Sequence, residues 1–445
     1  MVVTIVVLLI LAGVSISLVL DKNGIIEKSK DARREYGQAK ANEQEDLSNL
    51  SDMIDEATAE PTPKVNVNTK AGDNSTINGK KGNANNPTIP AGYIPINTET
   101  SNWGNGKDAP SQDSVKHGLV IKDEQNNEWV WVPVPDVTVM CDTLNNTEYT
   151  LCGTTGETAV KAKLYSKTMT IGTDSNKRTI SRGTPGTTDY REPDLVVGDD
   201  GIGYDAKEKY YKTILGETGT KEQLAQLFAD EYKAMIKSVS KYGGFYIGRY
   251  ELSGTVTEPT EKPGKTLTKT DWYNLYNACS SSKLQASDKV KTQMIWGCQW
   301  DVTMNWLISS GAKTSDEVNK NSSTWGNYRN YNTANNYTEG TAGYEKNAGS
   351  QQNTGSSENW KANNIYDLAG NVEEWTQEAY DTLYRANRGG TYNNVGSNIP
   401  ASVRYNGGYS PDNSAYGYGR FSSHFNNKVI LDTRAWAPVW RIIIK

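Results

Sequence analysis

The sequence predicts an α+β fold that is preceded by a long N-terminal helix. The first observation is an uncharged apolar run that leads into an amphipathic stretch. The second is a later set of short strand-like runs, separated by turn residues and by only a few helical segments. Long polar stretches join these elements, which is typical of α+β domains with much ordered loop. Because 445 residues exceed the usual size of one domain, we expect more than one unit.

Residues 1–20 form an uncharged apolar run that is long enough to cross a bilayer as a helix. The run lacks the charged n-region and the small-residue cleavage site of a secretory signal peptide, so we do not expect its removal. After a polar break, a single stripe of positions from Ile25 to Ala57 falls at alternating spacings of three and four residues. This spacing predicts an amphipathic helix. We therefore predict one membrane-spanning and amphipathic helix over 1–59.

The stretches "VVTIVVLLILAGVSISLVL" and "NGII" resemble the N-terminal helix of type IV pilins and pseudopilins, and in detail the leader of pilin-like surface proteins of clostridial bacteria. The resemblance implies attachment to the cell membrane through residues 1–20, or assembly with pilin-like subunits. The basic stretch and Gly cleavage point that precede this helix in the family are absent from the sequence, which leaves processing by a prepilin peptidase open. A plain single-pass membrane helix is the alternative interpretation.

Residues 60–90 are rich in Pro, Thr, Asn, Gly and Lys, and apolar residues are sparse among them. Such a composition does not bury enough apolar surface to offset the entropy lost on ordering. We therefore predict a disordered linker over 60–90 and a globular domain over 91–445.

Strands and helices are predicted at six places within the globular domain. The strand-like runs are "GLVIKD" (118–123), "EWVWVPV" (128–134), "GGFYIGRYE" (243–251) and "WRIIIK" (440–445). One helix begins at Thr220, where T-x-x-Q predicts a capping box, and presents on one face Leu224, Leu227, Phe228, Tyr232, Met235 and Val239. The other helix is "WDVTMNWLISS" (300–310).

Composition excludes several classes of function. A formal charge of −5 and the lack of a basic cluster argue against a nucleic-acid partner. His117 and His424 are the only histidines, so chemistry that needs several imidazoles is excluded. The four cysteines lack a C-x-x-C spacing, which argues against a structural zinc site. Cys141 and Cys152 flank a polar stretch and form either a hairpin disulfide or two free thiols.

The segments "NNIYDLAGNVEEW" (363–375) and "RGGTY" (388–392) resemble paired motifs of the formylglycine-generating-enzyme family, also called the sulfatase-modifying-factor family. The segments "GGFYIGRYE" (243–251) and "MIWGCQWDVTMNWL" (294–307) are similar to an early strand and to the start of the central helix in that family. The resemblance covers about 91–445. It implies the formylglycine-generating-enzyme variant of the C-type lectin fold.

The resemblance also implies a structural Ca²⁺ in the G-N-V-x-E-W turn. By position, Asp367 and Glu374 would supply carboxylate oxygens, and Gly370 and Val372 would supply backbone carbonyls. Oxygen ligands of this kind suit calcium. Asn371 is expected to support the turn rather than bind the metal. An Asx-type turn without metal is the alternative.

Catalysis by the family's known chemistry is not expected. The enzymes of the family hold copper through two cysteines that follow the R-G-G-S-W strand, whereas no cysteine follows Cys298 here. A related branch holds iron through three histidines, and this chain has two. We therefore expect a non-catalytic adhesin or receptor on the bacterial surface or on a pilus. A metal-dependent modifying enzyme of this family and a purely structural minor pilin are the alternatives.

The stretch 405–436 is dominated by Tyr, Asn, Ser, Gly and Asp, a mixture typical of adaptable binding loops. It also resembles the variable regions that diversity-generating retroelements write onto proteins of the C-type lectin fold. We predict that it binds an extracellular protein or carbohydrate, and that Arg388 and Arg404 support it from beneath; a solvated loop is the alternative. The predicted ligand-binding residues are Tyr405, Tyr409, Asp412, Asn413, Tyr416, Tyr418, Phe421, His424 and Trp436.

Overall fold

The computed structural model mixes helices with open β-sheets, which confirms the α+β class. The helix predicted over 1–59 lies outside the residues that it describes. Among the described residues, no helix has the length and apolar character needed to span a bilayer. The structure describes residues 62–104, 110–140, 148–151, 156–163, 168–173, 179–181, 192–193, 212–268, 271–379, 385–404, 436–438 and 440–444.

The strands are short, as the spacing of the turn residues predicts. In chain order they are β1 (Ile94–Ile96), β2 (Val120–Lys122), β3 (Glu128–Pro133), β4 (Glu148–Thr150), β5 (Lys161–Lys163), β6 (Thr168–Thr173), β7 (Thr179–Ser181), β8 (Gly244–Gly248), β9 (Ser253–Gly254), β10 (Pro259–Thr260), β11 (Val290–Met294), β12 (Lys361–Ala362), β13 (Ile365–Tyr366), β14 (Glu373–Ala379), β15 (Arg385–Arg388), β16 (Trp436–Pro438) and β17 (Trp440–Ile444). The four predicted strands are therefore present as β2, β3, β8 and β17, each somewhat shorter than its run.

Helices are fewer than strands in the described ranges. They are α1 (Gln112–Lys116), α2 (Lys221–Tyr242), α3 (Trp272–Cys279), α4 (Gly297–Ser309), α5 (Ser315–Asn319) and α6 (Tyr331–Ala334). Both predicted helices are confirmed, as α2 and α4. Single 3₁₀ turns lie at Val137–Val139, Gly156–Thr158, Ser282–Leu284 and Glu358–Trp360.

The largest sheet has six strands in the order β1–β2–β3–β8–β17–β11. Every neighbouring pair in this sheet is antiparallel. Strand β17 lies inside the sheet, where Ile442 pairs with Tyr246 on one side and with Thr292 on the other. Two-stranded sheets pair β4 with β5, β6 with β7, β9 with β10, and β12 with β13.

Helix α2 covers one part of this sheet and begins at the predicted capping box. The Thr220 side chain accepts a hydrogen bond from the Gln223 amide, and the Gln223 side chain accepts one from the Thr220 amide. The helix ends at Gly243, whose φ of 73° lies in the left-handed region that glycine tolerates. The predicted apolar face is buried except for Leu227, which is half-buried against the core. The helix packs on β8 and β17.

The prediction of a disordered linker over 60–90 is wrong for residues 62–90, which are ordered. Val65, Ile77 and Ile89 are buried in the core. Ser75 and Ile89 exchange two backbone hydrogen bonds, of 2.9 and 2.7 Å. Widely spaced apolar residues and backbone pairing therefore fix this stretch, and neither property is visible in its polar composition. The compact unit begins at residue 62 rather than at 91.

A smaller three-stranded sheet, in the order β15–β14–β16, contains parts of the two motifs at 363–375 and 388–392. Strand β14 runs antiparallel to β15 and parallel to β16. Helix α4 packs against both β14 and β3, so that it connects the small sheet with the large one. This arrangement sets the position of the G-N-V turn, whose residues Gly370, Asn371 and Val372 immediately precede β14.

Candidate functional site

The G-N-V turn joins β13 to β14 through several residues with left-handed backbone. Asp367, Gly370 and Asn371 have φ values of 60°, 75° and 52°. Only Gly, Asn and Asp adopt this region readily, which explains why the turn is built from these residue types. A side chain at Gly370 would also collide with the Asn327 backbone, because an added Cβ would lie 2.3 Å from the Asn327 carbonyl oxygen. The local sequence therefore dictates the shape of the turn.

The two predicted carboxylate ligands of calcium, Asp367 and Glu374, are both buried. The Asp367 Oδ2 atom accepts hydrogen bonds from the Thr354 hydroxyl and the Gly355 amide, each at 2.9 Å. In contrast, Asp367 Oδ1 and Glu374 Oε2 are buried without any hydrogen-bond donor among the described residues. A buried carboxylate oxygen without a hydrogen-bond donor or a cation is energetically costly. These two atoms are therefore the candidate cation-binding oxygens of the turn.

A third buried carboxylate, Glu251, is not among the residues that the sequence predicts for this site. It follows β8 and accepts hydrogen bonds from the Asn371 side-chain amide at 2.7 Å and the Val372 backbone amide at 3.1 Å. The Thr266 hydroxyl donates a further bond at 2.7 Å. Both carboxylate oxygens of Glu251 therefore have donors. The available signal was an acidic residue directly after a buried strand, in the segment "RYE" (249–251).

The three carboxyl groups influence one another electrostatically. Burial raises the pKa of Glu251, and repulsion from the nearby Asp367 charge raises it further. Burial raises the pKa of Asp367 to about 6, against hydrogen bonds from Gly355 and Thr354 that lower it. Burial also raises the pKa of Glu374, and repulsion from Glu251 and Asp367 adds to the shift. A cation in this place would relieve the repulsion and favour the charged forms.

The predicted calcium ligands Asp367 and Glu374 fit a hard cation because both have buried carboxylate oxygens. The Asp367 charge raises the pKa of Glu374, and each of these two carboxylates has one buried oxygen without a hydrogen-bond donor among the described residues. The Val372 amide donates to Glu251, and the Gly370 amide donates to the Gly389 carbonyl at 2.9 Å. These bonds connect the turn to the residues that follow β8 and to those that follow β15. Across the described ranges, no group of three or more His, Cys, Asp or Glu side chains has the arrangement of a metal site. The predicted set is of another kind, since it combines two carboxylates with backbone carbonyls.

Asn371 supports the turn, as expected. Its Nδ2 donates to Glu251, and its Oδ1 accepts from the Asn327 side chain and the Gln352 amide, both at 3.0 Å. Asn327 makes a further hydrogen bond, in which its Oδ1 accepts from the Gly349 amide at 3.0 Å. These two asparagines therefore form a hydrogen-bonded link between the turn and the preceding loop.

Arg388 and Arg404 lie in a fully buried group of four charges with Asp301 and Glu378. Arg388 Nη2 lies 2.7 Å from Asp301 Oδ1, and Arg404 Nε lies 3.0 Å from Glu378 Oε2. Arg404 also pairs with Asp301, so the carboxylate of α4 joins both guanidinium groups. The group is neutral overall, which a buried set of charges requires. Its Arg404 member is the last described residue before the stretch 405–435.

The predicted ligand-binding residues from Tyr405 to His424 lie outside the described residues, as does the Trp436 side chain. The Trp436 backbone belongs to β16 and pairs with Glu373 of β14. Arg404, at the other end of the stretch, pairs with Glu378 of the same strand. The described residues that flank 405–435, Arg404 and Trp436, therefore both contact β14. Cys141 and Cys152 also lie outside the described residues.

Comparison with known proteins does not assign the chain to a family. No protein-family model matches the sequence, and no curated protein matches it.

Proposed function

We propose that this protein is a non-catalytic binding protein, an adhesin or receptor of the bacterial surface or of a pilus. The domain would have the formylglycine-generating-enzyme variant of the C-type lectin fold, with 405–436 as its ligand-binding loop. The observation that carries the proposal is that Arg404, which precedes this stretch, and Trp436, its last residue, both contact β14, through the Arg404–Glu378 ion pair and the Trp436–Glu373 strand pairing.

A rigid attachment matters because adaptable loops bind well only when their ends are fixed, since ordering a free segment costs binding energy. The buried group of four charges connects the start of the loop to α4 and β15, and the backbone ladder fixes its end. The loop itself has the composition of adaptable paratopes, with stiff Tyr rings among small polar residues. The proposed partner is an extracellular protein or carbohydrate.

Calcium is part of this proposal as a structural ion. Asp367 and Glu374, with the carbonyls of Gly370 and Val372, would hold it, because these carboxylates carry the oxygens without donors. Calcium would supply charge neutralisation and would stiffen the turn before β14. Since the loop is attached to that strand, stiffness at the turn supports the binding surface.

A binding role is favoured over catalysis by the sulfur chemistry of the chain. No cysteine follows Cys298, so the segment after "RGGTY" (388–392) cannot supply the copper-binding pair of the family's enzymes. The Cys279 thiol is buried in α3, and burial raises its pKa, which disfavours the thiolate needed by soft metals. Attachment through residues 1–20 to the membrane, or to pilin-like subunits, completes the proposal.

Replacing the loop aromatics Tyr409, Tyr416, Tyr418 and Phe421 by Ser tests the proposal. The full chain and this variant are compared on a glycan array and on cells that bind the full chain. We expect binding to fall by tenfold or more, because the loss of a single aromatic hot-spot residue costs about 2 kcal/mol or more in such interfaces. An unchanged melting temperature verifies the fold. Retained binding by the folded variant would show that the loop assignment is incorrect.

A further inference from the structure

A groove of about 440 Å³ lies beside the second half of α4, between that helix, α1 and the chain from Pro133 to Val139. It involves neither the G-N-V turn nor the stretch 405–436. Its volume falls in the range of about 300–1,000 Å³ that is usual for ligand sites in proteins. The surface chemistry of the groove then determines which ligand fits.

The floor of the groove is apolar. Val115, Val134, Val302 and Trp306 line it and are buried. On the rim, Val139 is 36% exposed, and it is the most exposed large apolar side chain in the part of the chain that the structure describes. Covering this surface would release water from apolar groups, which favours an occupant with an apolar side chain.

The rim is rich in amide side chains. Asn85, Gln112 and Asn305 line the groove and are exposed, and their side chains make no hydrogen bonds to the described residues. Each amide offers a donor and an acceptor side by side. This pairing matches the N–H and C=O groups of an extended peptide backbone.

The rim also carries a positive charge that no acidic side chain of the described residues pairs with. Lys116 lines the groove, and no carboxylate of the described residues pairs with it. The nearest acid on the same helix, Asp113, lies 3.9 Å from His117. The other charged residue of the groove is Asp136, whose carboxylate accepts hydrogen bonds from the Thr138 amide and hydroxyl. Lys116 is therefore available to an anionic group on an occupant.

We propose that this groove binds the C-terminal end of an extended peptide whose last residue is apolar. The terminal side chain would lie on the floor near Trp306, the last peptide groups would pair with the amides of the rim, and the carboxylate would pair with Lys116. Capture of a chain terminus through its carboxylate is an established mode of peptide recognition. The proposal does not depend on the function proposed for the loop 405–436.

The test uses the full chain in lipid nanodiscs and a fluorescein-labelled pentapeptide, glycine-serine-asparagine-valine-leucine, with a free carboxylate. Fluorescence anisotropy should show saturable binding with a Kd below about 1 mM. The same peptide with a C-terminal amide should bind about threefold to tenfold more weakly, because it lacks the charge that pairs with Lys116.

Three variants locate the binding. Ser309→Trp places a large ring at the rim from an exposed helix position and should abolish saturable binding. Lys116→Gln should reduce the affinity for the acid peptide to that of the amide peptide. Lys346→Gln makes the same change of charge at an exposed site outside the groove and should leave both affinities unchanged. Melting temperatures verify that each variant folds.

Three outcomes would overturn the proposal. The first is the absence of saturable binding by the unmodified chain up to about 1 mM peptide. The second is equal affinity for the acid and amide peptides. The third is unchanged binding by a folded Ser309→Trp variant.

Discussion

Asn371 connects three segments of the chain through a single side chain. Its amide donates to Glu251 after β8 and accepts from Asn327, which precedes α6, and from Gln352, in the loop between α6 and β12. Its backbone φ of 52° is left-handed, where Asn is tolerated better than Ala. The residue therefore contributes both to the shape of the turn and to its connection with the rest of the domain.

Replacing Asn371 by Ala should destabilise the domain by about 3–5 kcal/mol, because buried partners lose their hydrogen bonds and the left-handed backbone becomes strained. Asn336→Ala is the matched control, since Asn336 is exposed and has a similar φ of 56°. It should cost only about 1 kcal/mol, the backbone part of the effect. Urea unfolding followed by Trp fluorescence measures both variants. Equal losses would mean that the side-chain bonds of Asn371 contribute nothing.

The carboxyl cluster should make the calcium-free domain less stable as the pH rises. Burial raises the pKa of Asp367 to about 6, and it also raises those of Glu251 and Glu374. Unfolded carboxyl groups titrate near pH 4, so between that value and the folded pKa the folded state binds more protons. Stability from these groups is therefore present at low pH and is lost as the pH rises through the folded pKa.

Asp367→Asn keeps the shape of this side chain and removes its charge, which makes it the control for the pH effect. In EGTA, the stability of the variant relative to the unmodified chain should increase between about pH 4 and pH 7. Added Ca²⁺ should stabilise the unmodified chain at pH 7 and reverse the order. A stability difference that does not change with pH would contradict the assigned pKa shift.

The sequence was informative about individual residues only where a local motif contained them. The sequence predicts Asp367 and Glu374 as ligands because they belong to one continuous turn motif. Glu251 was missed because its partners Asn371 and Val372 are about 120 residues away in the chain. A contact at that separation leaves no local pattern.

Strand β14 is the element on which most of the candidate site depends. It follows the G-N-V turn, pairs with β15 and β16, and contributes Glu378 to the buried charges. Helix α4 contributes Asp301 to the same group. The helix, the small sheet and the start of the loop are therefore connected by ion pairs that have no access to water.

Asp301→Ala should destabilise the domain by about 3–5 kcal/mol, because it leaves buried guanidinium groups with too few partners. The control is Asp316→Ala, which removes an ion pair between Asp316 and Lys320 whose side chains are more than two-thirds exposed. That change should cost less than about 1 kcal/mol. Urea unfolding measures the two variants. A small loss for Asp301→Ala would indicate that the four charges are not coupled as their distances imply.

Elements with a clear periodicity of apolar residues or a capping motif could be predicted from the sequence. Elements that depend on backbone pairing between segments far apart in the chain could not. The capping box at Thr220 and the apolar face of α2 identified that helix. In contrast, the parallel pairing of β16 with β14 joins segments that are far apart in the sequence. The ordered stretch 62–90 was misjudged for a related reason, because its backbone pairs within itself and with the chain near Tyr93.

We expect the domain to divide into a fixed framework and a binding loop. The framework consists of the six-stranded sheet, the small sheet, α2 and α4, with the G-N-V turn between them. Arg404 and Trp436, the described residues on either side of 405–435, both contact β14. Under this division, substitutions within the loop should change the target without changing the stability of the framework.

Hydrogen–deuterium exchange of the full chain, with and without its bound target, tests this division most directly. The account predicts that protection gained on binding is concentrated in peptides from 405 to 436, while peptides from α2 and the six-stranded sheet exchange at unchanged rates. Protection that falls elsewhere, with 405–436 unaffected, would contradict the proposal that this loop binds the target.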